Sequence, residues 1–408
     1  MPETVVIGAG QAGLAVSHEL ERHGVEHVVL ERGKVGQRWR TRWESFCLVT
    51  PNWTVRLPGA PYDGDDPDGY MPRDDIVDHL ERWSQRLGAQ VHEGVEVHEL
   101  APEPRGGFRL DTSEGELTAR TVVICSGAYQ RPHRTPLEDA LPRRVTVLDA
   151  DGYTAPGDLP PGPVLVIGSG QTGCQLAEEL RDAGREVFLS CGRAMWLARR
   201  MGGRDVVWWA LETGFLDTPV ERLATPDLRL AANLQGSGHG GGHDLHYRTL
   251  RGREGLTLTG RFLGSDGRRA RFAGDLAESV AWGDARHLEF MELVRATVAA
   301  RGLDPVELPP PEPLDWPAPE EVDLAGFGAV VFTGGFRPAY RSWLSWDSAF
   351  DAHGFPFHRE GVSTIVPGLF FVGVHFLRTR KSTLLGGVAE DAAMVAGGVA
   401  RHLGAASD

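Results

Sequence analysis

The sequence predicts an α/β protein with two open, doubly wound parallel sheets, the first assembled from both ends of the chain. Three observations carry this. A short β-branched run, Thr4-Val-Val-Ile7, enters Gly8-Ala-Gly10-Gln-Ala-Gly13, and a helical pattern (Leu14, Val16, Leu20) follows and stops at Gly24. The same grammar returns when Val164–Ile167 enters Gly168-Ser-Gly170-Gln-Thr-Gly173, with a helix through Leu180 and a stop at Gly184. Strand signals then resume at Ala329–Phe332 and Gly368–Val372, beyond a proline-rich stretch at 308–314. Strand, glycine turn, helix and strand in that order make the βαβ unit of a Rossmann-like, dinucleotide-binding domain. Two copies make an internal repeat at the level of domains.

Each fingerprint has a chemical reading. The first glycine permits a tight turn, the second lets a pyrophosphate approach the backbone, and the third lets the helix pack close. The helix N-terminus then offers unpaired N–H groups and a partial positive charge to phosphate. Both patterns follow a predicted strand and open a predicted helix, which separates a site from a glycine-rich turn. Gly8, Gly10, Gln11, Ala12 and Gly13 are therefore the expected first phosphate cradle, and Gly168, Gly170, Gln171, Thr172 and Gly173 the second. The strand Val28-Val-Leu30 ends in Glu31, where a carboxylate accepts hydrogen bonds from an unphosphorylated ribose. The matching place in the second copy is Ser190, with Arg193 close behind. A carboxylate there would repel a 2′-phosphate, whereas a hydroxyl and a guanidinium would bind one. The first site suits FAD and the second NADPH.

Composition sets the outer bounds. A chain of 408 residues has room for two or three packed units. With 42 Lys plus Arg against 56 Asp plus Glu, the formal net charge is −14, which disfavours nucleic acid and anionic membrane as partners. Glycine, at 52 residues, is well above its usual ~7% share and asks for tight turns and close backbone approach. Cys47, Cys125, Cys174 and Cys191 stand apart with no Cys-x-x-Cys, which disfavours a disulfide framework, a zinc knuckle or a dithiol centre. No apolar run approaches the ~18 residues of a membrane span, and the first strand begins too early for a signal core; a cytoplasmic protein is expected. His239, His243 and His246 lie in the glycine-rich stretch 234–247, read as a mobile loop, and no metal is expected. Trp196, Trp208 and Trp209 read first as packing and second as the wall of a substrate pocket.

Further segments carry a family likeness. Gly36-Gln-Arg-Trp39 resembles the G-x-x-W segment of the flavin-containing monooxygenase superfamily. Arg42-Trp-Glu-Ser-Phe-Cys-Leu-Val-Thr-Pro51 with Leu57-Pro-Gly59 resembles its bacterial branch labelled as a flavoprotein involved in potassium transport, related to Baeyer–Villiger and N-hydroxylating monooxygenases. Val122–Gly127 is similar to the superfamily's inter-domain hinge, and Phe332–Pro338, Phe370–Gly373 and Leu384–Gly387 to its closing segments. The resemblance implies FAD contacts at Arg32, Gln37, Trp39, Thr50, Val97, Gly127, Gly373 and Leu385, in addition to the first cradle. It also implies an FAD-dependent, NADPH-using monooxygenase, in which O2 adds to the reduced flavin and the C4a-hydroperoxide oxygenates a small molecule at nitrogen, sulfur or a carbonyl carbon. An NAD(P)H-dependent flavin oxidase or reductase releasing hydrogen peroxide is the alternative, and no catalytic side chain is assigned. Two positions depart from the pattern: Asp149 replaces the superfamily's linker histidine ahead of Tyr153, and Asn52 is one residue off its flavin-side asparagine. Both departures predict leakage of peroxide.

The expected organisation is an FAD domain at 1–155 and 325–408, closed by a helix from about Gly386 to His402, with an NADPH domain inserted at 156–324. The partners expected are a small-molecule substrate and O2, with a homo-oligomer left open.

Overall fold

The computed structural model describes residues 2–134, 141–223, 225–230, 235–307, 310–312 and 317–405. Along the chain, β1 (Thr4–Ile7), α1 (Gln11–Arg22) and β2 (His27–Glu31) form the first βαβ unit, followed by α2 (Arg73–Ser84), β3 (Val91–Glu93) and β4 (Thr121–Ile124). Next come β5 (Thr146–Asp149), β6 (Val164–Ile167), α3 (Gln171–Asp182), β7 (Val187–Ser190), α4 (Val206–Glu212), β8 (Leu256–Thr259) and α5 (Leu276–Arg301). The chain closes with β9 (Ala329–Phe332), the short strands β10 (His358–Arg359), β11 (Val362–Ser363) and β12 (Leu369–Phe371), and α6 (Val388–Ala405).

These strands form two main sheets. The first has the order β10-β11-β12-β4-β1-β2-β3, parallel from β12 to β3, with β10 and β11 antiparallel at one edge. The second, β5-β9-β6-β7-β8, is parallel throughout. The strands β1, β4, β6 and β9 are continuous buried runs, as a sheet covered on both faces requires. One face of the first sheet packs against α1 and α6, whose Leu14, Val16, Val388 and Val395 share a core with Val6 and Val123. Ile7 stands opposite Leu30 and Ile124, and Ile167 opposite Ser190 and Phe332. The carboxyl ends of the strands are therefore level in each sheet, which is where open α/β sheets bind ligands.

Two strands lie elsewhere than the sequence boundaries 155/156 and 324/325 put them. Both β5 and β9 pair in the second sheet, with β9 between β5 and β6. An apolar run such as Ala329-Val-Val-Phe332 announces a buried strand without naming its sheet. Contacts settle it: the Thr333 hydroxyl donates to the carbonyls of Ile167 (3.0 Å) and Gly168 (2.9 Å), at the end of β6. A three-stranded antiparallel meander, Val97–Pro102, Phe108–Thr112 and Gly115–Ala119, also escapes the sequence reading. The proline-rich stretch at 308–314 falls largely outside the described residues. Among the described residues, no helix is long and apolar enough to cross a membrane.

Candidate functional site

The first fingerprint is shaped by its glycines. Gly8 has φ +107°, and a Cβ there would lie 2.6 Å from the Cys125 carbonyl oxygen. A Cβ on Gly13 would lie 1.7 Å from the Gly8 carbonyl oxygen, so only glycine lets α1 sit this close to its strand. At Gly10 a Cβ would meet nothing within 4 Å, so the turn opens onto free space at the helix N-terminus. No side chain caps α1, which leaves its first N–H groups for a ligand. At the end of β2 the Glu31 carboxylate is buried, accepting from the Ala9 N–H at Oε2 (2.8 Å) and from the Gly33 N–H at Oε1 (2.9 Å). Each oxygen keeps a further lone pair, so the residue can brace the turn and also accept from a ribose hydroxyl.

One cavity of about 620 Å³ joins these parts to the second fingerprint. Of the expected residues it is lined by Gly8, Gly10, Gln11, Ala12, Glu31, Arg32, Gln37, Trp39, Thr50, Val97, Gly127, Gly373 and Leu385, and by Gln171 and Thr172 at the start of α3. Gln11 ties the wall together: its Oε1 accepts from the Trp39 indole (2.9 Å) and its amide donates to the Thr383 carbonyl (3.4 Å). Gly13, Gly168, Gly170, Gly173, Ser190 and Arg193 lie outside the lining. For Gly13, Gly168 and Gly173 the reason is close packing, since a Cβ on Gly173 would sit 1.8 Å from the Gly168 carbonyl. Gly170 is the N-cap of α3, which has no side-chain cap either.

Ser190 requires a correction. Its hydroxyl donates to the Gly260 carbonyl (3.0 Å) and accepts from the Phe262 N–H (2.9 Å), and only 2% of the residue is exposed. The side chain is consumed in tying β7 to the chain beyond β8, so no hydroxyl remains for a 2′-phosphate. Arg193 is exposed three residues later.

Several cavity residues were not singled out by sequence. Val207 and Leu211 on α4, together with Leu216, supply an apolar wall from the inserted unit. Trp196, Trp208 and Trp209 do not line it: Trp209 donates to the Met201 carbonyl (2.8 Å), and Trp196 stacks on His287 (4.0 Å) with His246 at 4.5 Å. The α4 wall is held by a strap in which the N–H groups of Lys381 and Arg380 donate to the carbonyls of Leu216 and Thr218 (both 3.1 Å), and the Val220 N–H donates to Arg378 (2.8 Å). Lys381 faces the cavity and pairs with Asp217 and Glu390, both at 2.6 Å. Arg42, Trp43 and Phe46 also line the cavity. They sit in the motif that carries the family likeness, which was the available signal.

The cysteines, Asp149 and Asn52 have structural surroundings. Burial pushes the Cys47 thiol up to about 11 and Cys191 up to about 12, and raises Cys125 and Cys174 as well, which disfavours the thiolate at neutral pH. Asp149 pairs bidentately with Arg134 (2.6 and 2.9 Å). Asn52 is spent on backbone, donating to the Asp66 carbonyl (2.9 Å) and accepting from the Met71 N–H (2.7 Å). The glycine-rich loop, described from Gln235, is docked on the second fingerprint through a reciprocal Gln171–Gly236 pair (2.6 and 3.0 Å) and through Gln235 to the Ser169 carbonyl (2.7 Å). Its histidines are engaged separately, His243 with Glu178 (3.0 Å) and His246 within the Trp196 stack.

Comparison with known proteins agrees with this architecture. Residues 5–204 match the family described as pyridine nucleotide-disulphide oxidoreductase. An uncharacterized CzcO-like oxidoreductase from Geobacillus kaustophilus is 28% identical over 402 residues, covering 98% of this chain and 99% of its own. Indole-3-pyruvate monooxygenase YUCCA4 from Oryza sativa subsp. japonica is 27% identical over 251 residues, 53% of this chain and 57% of its own. A mutant of the flavin monooxygenase from Stenotrophomonas maltophilia shares the fold, with a TM-score of 0.71 at 18% identity over 98% of this chain and 99% of that one. These matches bear out the superfamily resemblance read from the motifs.

Proposed function

We propose that this chain, a relative of the flavin-containing monooxygenases, is an FAD- and NADPH-dependent monooxygenase that oxygenates a small molecule at nitrogen, sulfur or a carbonyl carbon. One observation carries the reading: the N-terminal ends of α1 and α3, one from each fingerprint, open on a single cavity. A hydride donor held at α3 and an acceptor held at α1 would share one space and need no diffusing carrier.

The residues present fit both groups. Glu31 would hold the FAD ribose, the Gly10 turn and the start of α1 its pyrophosphate, and Gln37, Trp39, Thr50 and Leu385 would lie along its remaining length. Gln171 and Thr172 at α3 would face the pyrophosphate of NADPH, and exposed Arg193 its 2′-phosphate. Flavin, when bound and reduced, supplies oxygen activation at its C4a carbon. The chain's own task is to orient both dinucleotides and exclude water, for which Val207, Leu211, Leu216, Trp43 and Phe46 give the cavity apolar walls. The inserted unit is proposed to run from Thr146 to Phe332, following strand pairing.

The test is a reaction of FAD-loaded protein with NADPH under ¹⁸O₂, against a panel of small amines, sulfides and ketones, with peroxide measured in parallel. Incorporation of one labelled oxygen into a panel member is expected, with peroxide formed when the substrate is poor. NADPH oxidation that yields peroxide alone across the panel would replace this reading with the oxidase.

A further inference from the structure

Arg42 lines the cavity from the first unit. Its guanidinium lies over the Tyr129 ring (4.9 Å) and near that of Phe46 (5.6 Å), and among the described residues it makes no ion pair. The Asp151 carboxylate, whose charge acts on Arg42, forms its ion pair with Arg38 at 3.7 Å. Arg38 lines the same cavity and donates to the carbonyls of Tyr129 and Gln130, and Arg32 lies further along it. A protein of net charge −14 thus gathers four guanidiniums, Arg56 being the fourth, around one internal space. Burial pushes the Arg42 guanidinium down from its ordinary value, which marks a cation desolvated without full compensation. Such a group is offset when an anion arrives.

Position selects the anion. Trp43, one residue on, is 3% exposed and packs in the core of the inserted unit with Cys174, Leu176 and Ala177 of α3. The Glu44 N–H donates to the Thr154 carbonyl (3.0 Å), pinning the same segment to the other side of the seam. Arg42 belongs to the first unit, yet its chain neighbour Trp43 shares a core with the helix whose uncapped N-terminus opens the second fingerprint.

We infer that Arg42 is a positioning residue that clamps the pyrophosphate of the nicotinamide dinucleotide from the FAD side, opposite the α3 N-terminus. The inference rests on the NADPH reading above. It makes the second nucleotide site a composite of both units, so dinucleotide binding also draws the units together.

The test is titration of FAD-loaded, full-length protein with NADP⁺ and, separately, with adenosine 2′-monophosphate, which keeps the 2′-phosphate but lacks both phosphates of the pyrophosphate. Wild type, Arg42→Gln and Arg42→Lys are compared by calorimetry, with flavin content and far-UV circular dichroism as checks on folding. Arg42→Gln should weaken NADP⁺ by about 10- to 100-fold, the range of one lost charge-assisted bond, and leave the 2′-monophosphate within about twofold. Arg42→Lys should fall between the two. Unchanged NADP⁺ affinity overturns the clamp, as does equal loss of both ligands. Loss of FAD with NADP⁺ binding intact would assign Arg42 to the flavin instead. Wild type that binds neither ligand would refute the NADPH reading itself, and the clamp with it.

Discussion

Replacing Glu31 by glutamine removes one acceptor from a site where both are in use. The carboxylate accepts from Ala9 (2.8 Å) and Gly33 (2.9 Å) and is 8% exposed, so solvent cannot compensate. In Glu31→Gln an NH2 group must face one of those N–H donors, which costs one charge-assisted bond and leaves a buried donor unpaired. At about 1.5–3 kcal/mol for a hydrogen bond to a charged group, the apo protein should lose stability of that order. The same change halves the acceptors available to a ribose, so the FAD dissociation constant should rise about 10- to 100-fold. Flavin fluorescence quenching on titration into apoprotein measures the second effect, and denaturant unfolding of the apoprotein the first. Wild-type FAD affinity in a folded Glu31→Gln protein would refute the assignment of this carboxylate to the ribose.

Arg193→Ala should raise the KM for NADPH about 10- to 100-fold with little change for NADH, whereas Ser190→Ala should leave that preference untouched and lower stability by about 1 kcal/mol; steady-state kinetics with both nucleotides and an unfolding curve decide. Leu211→Trp should fill the apolar end of the cavity, suppressing oxygenation of substrate while anaerobic reduction by NADPH continues, which product analysis and flavin bleaching separate. His246 is buried in the Trp196 stack, and burial first, then Arg248 and His287, lower its pKa from 6.5 to about 3. Between those values the unfolded chain holds a proton that the folded chain refuses, so stability should fall as pH drops below 6.5, by up to about 1.4 kcal/mol per pH unit. His246→Gln should flatten that slope, and unfolding free energies measured between pH 7 and pH 5 would show whether it does.

Much of the first glycine turn is legible in the sequence because each of its requirements is local. A positive φ at Gly8, an absent Cβ at Gly13 and a carboxylate at the end of β2 are demands on single residues a few positions apart. The second site was read less well. Ser190 was assigned by analogy of position, but its hydroxyl is taken by Gly260 and Phe262, some seventy residues on, and no local pattern reveals such a partner. The sheet that takes up β9 was likewise hidden, because burial depends on long-range pairing with β6 and β5. The α4 wall was missed for a further reason: in Val206-Val-Trp-Trp209 the tryptophans draw the eye, yet Val207 faces the cavity while Trp209 fills the core.

The proposal that two dinucleotides share one cavity can be checked by rapid anaerobic mixing of FAD-loaded protein with NADPH while the flavin absorbance is followed. The flavin should bleach in a saturable, first-order phase, slowed when the transferred hydrogen of NADPH is replaced by deuterium. Flavin that stays oxidised with NADPH bound, or that bleaches at a rate indifferent to deuterium and linear in nucleotide without saturation, would contradict it.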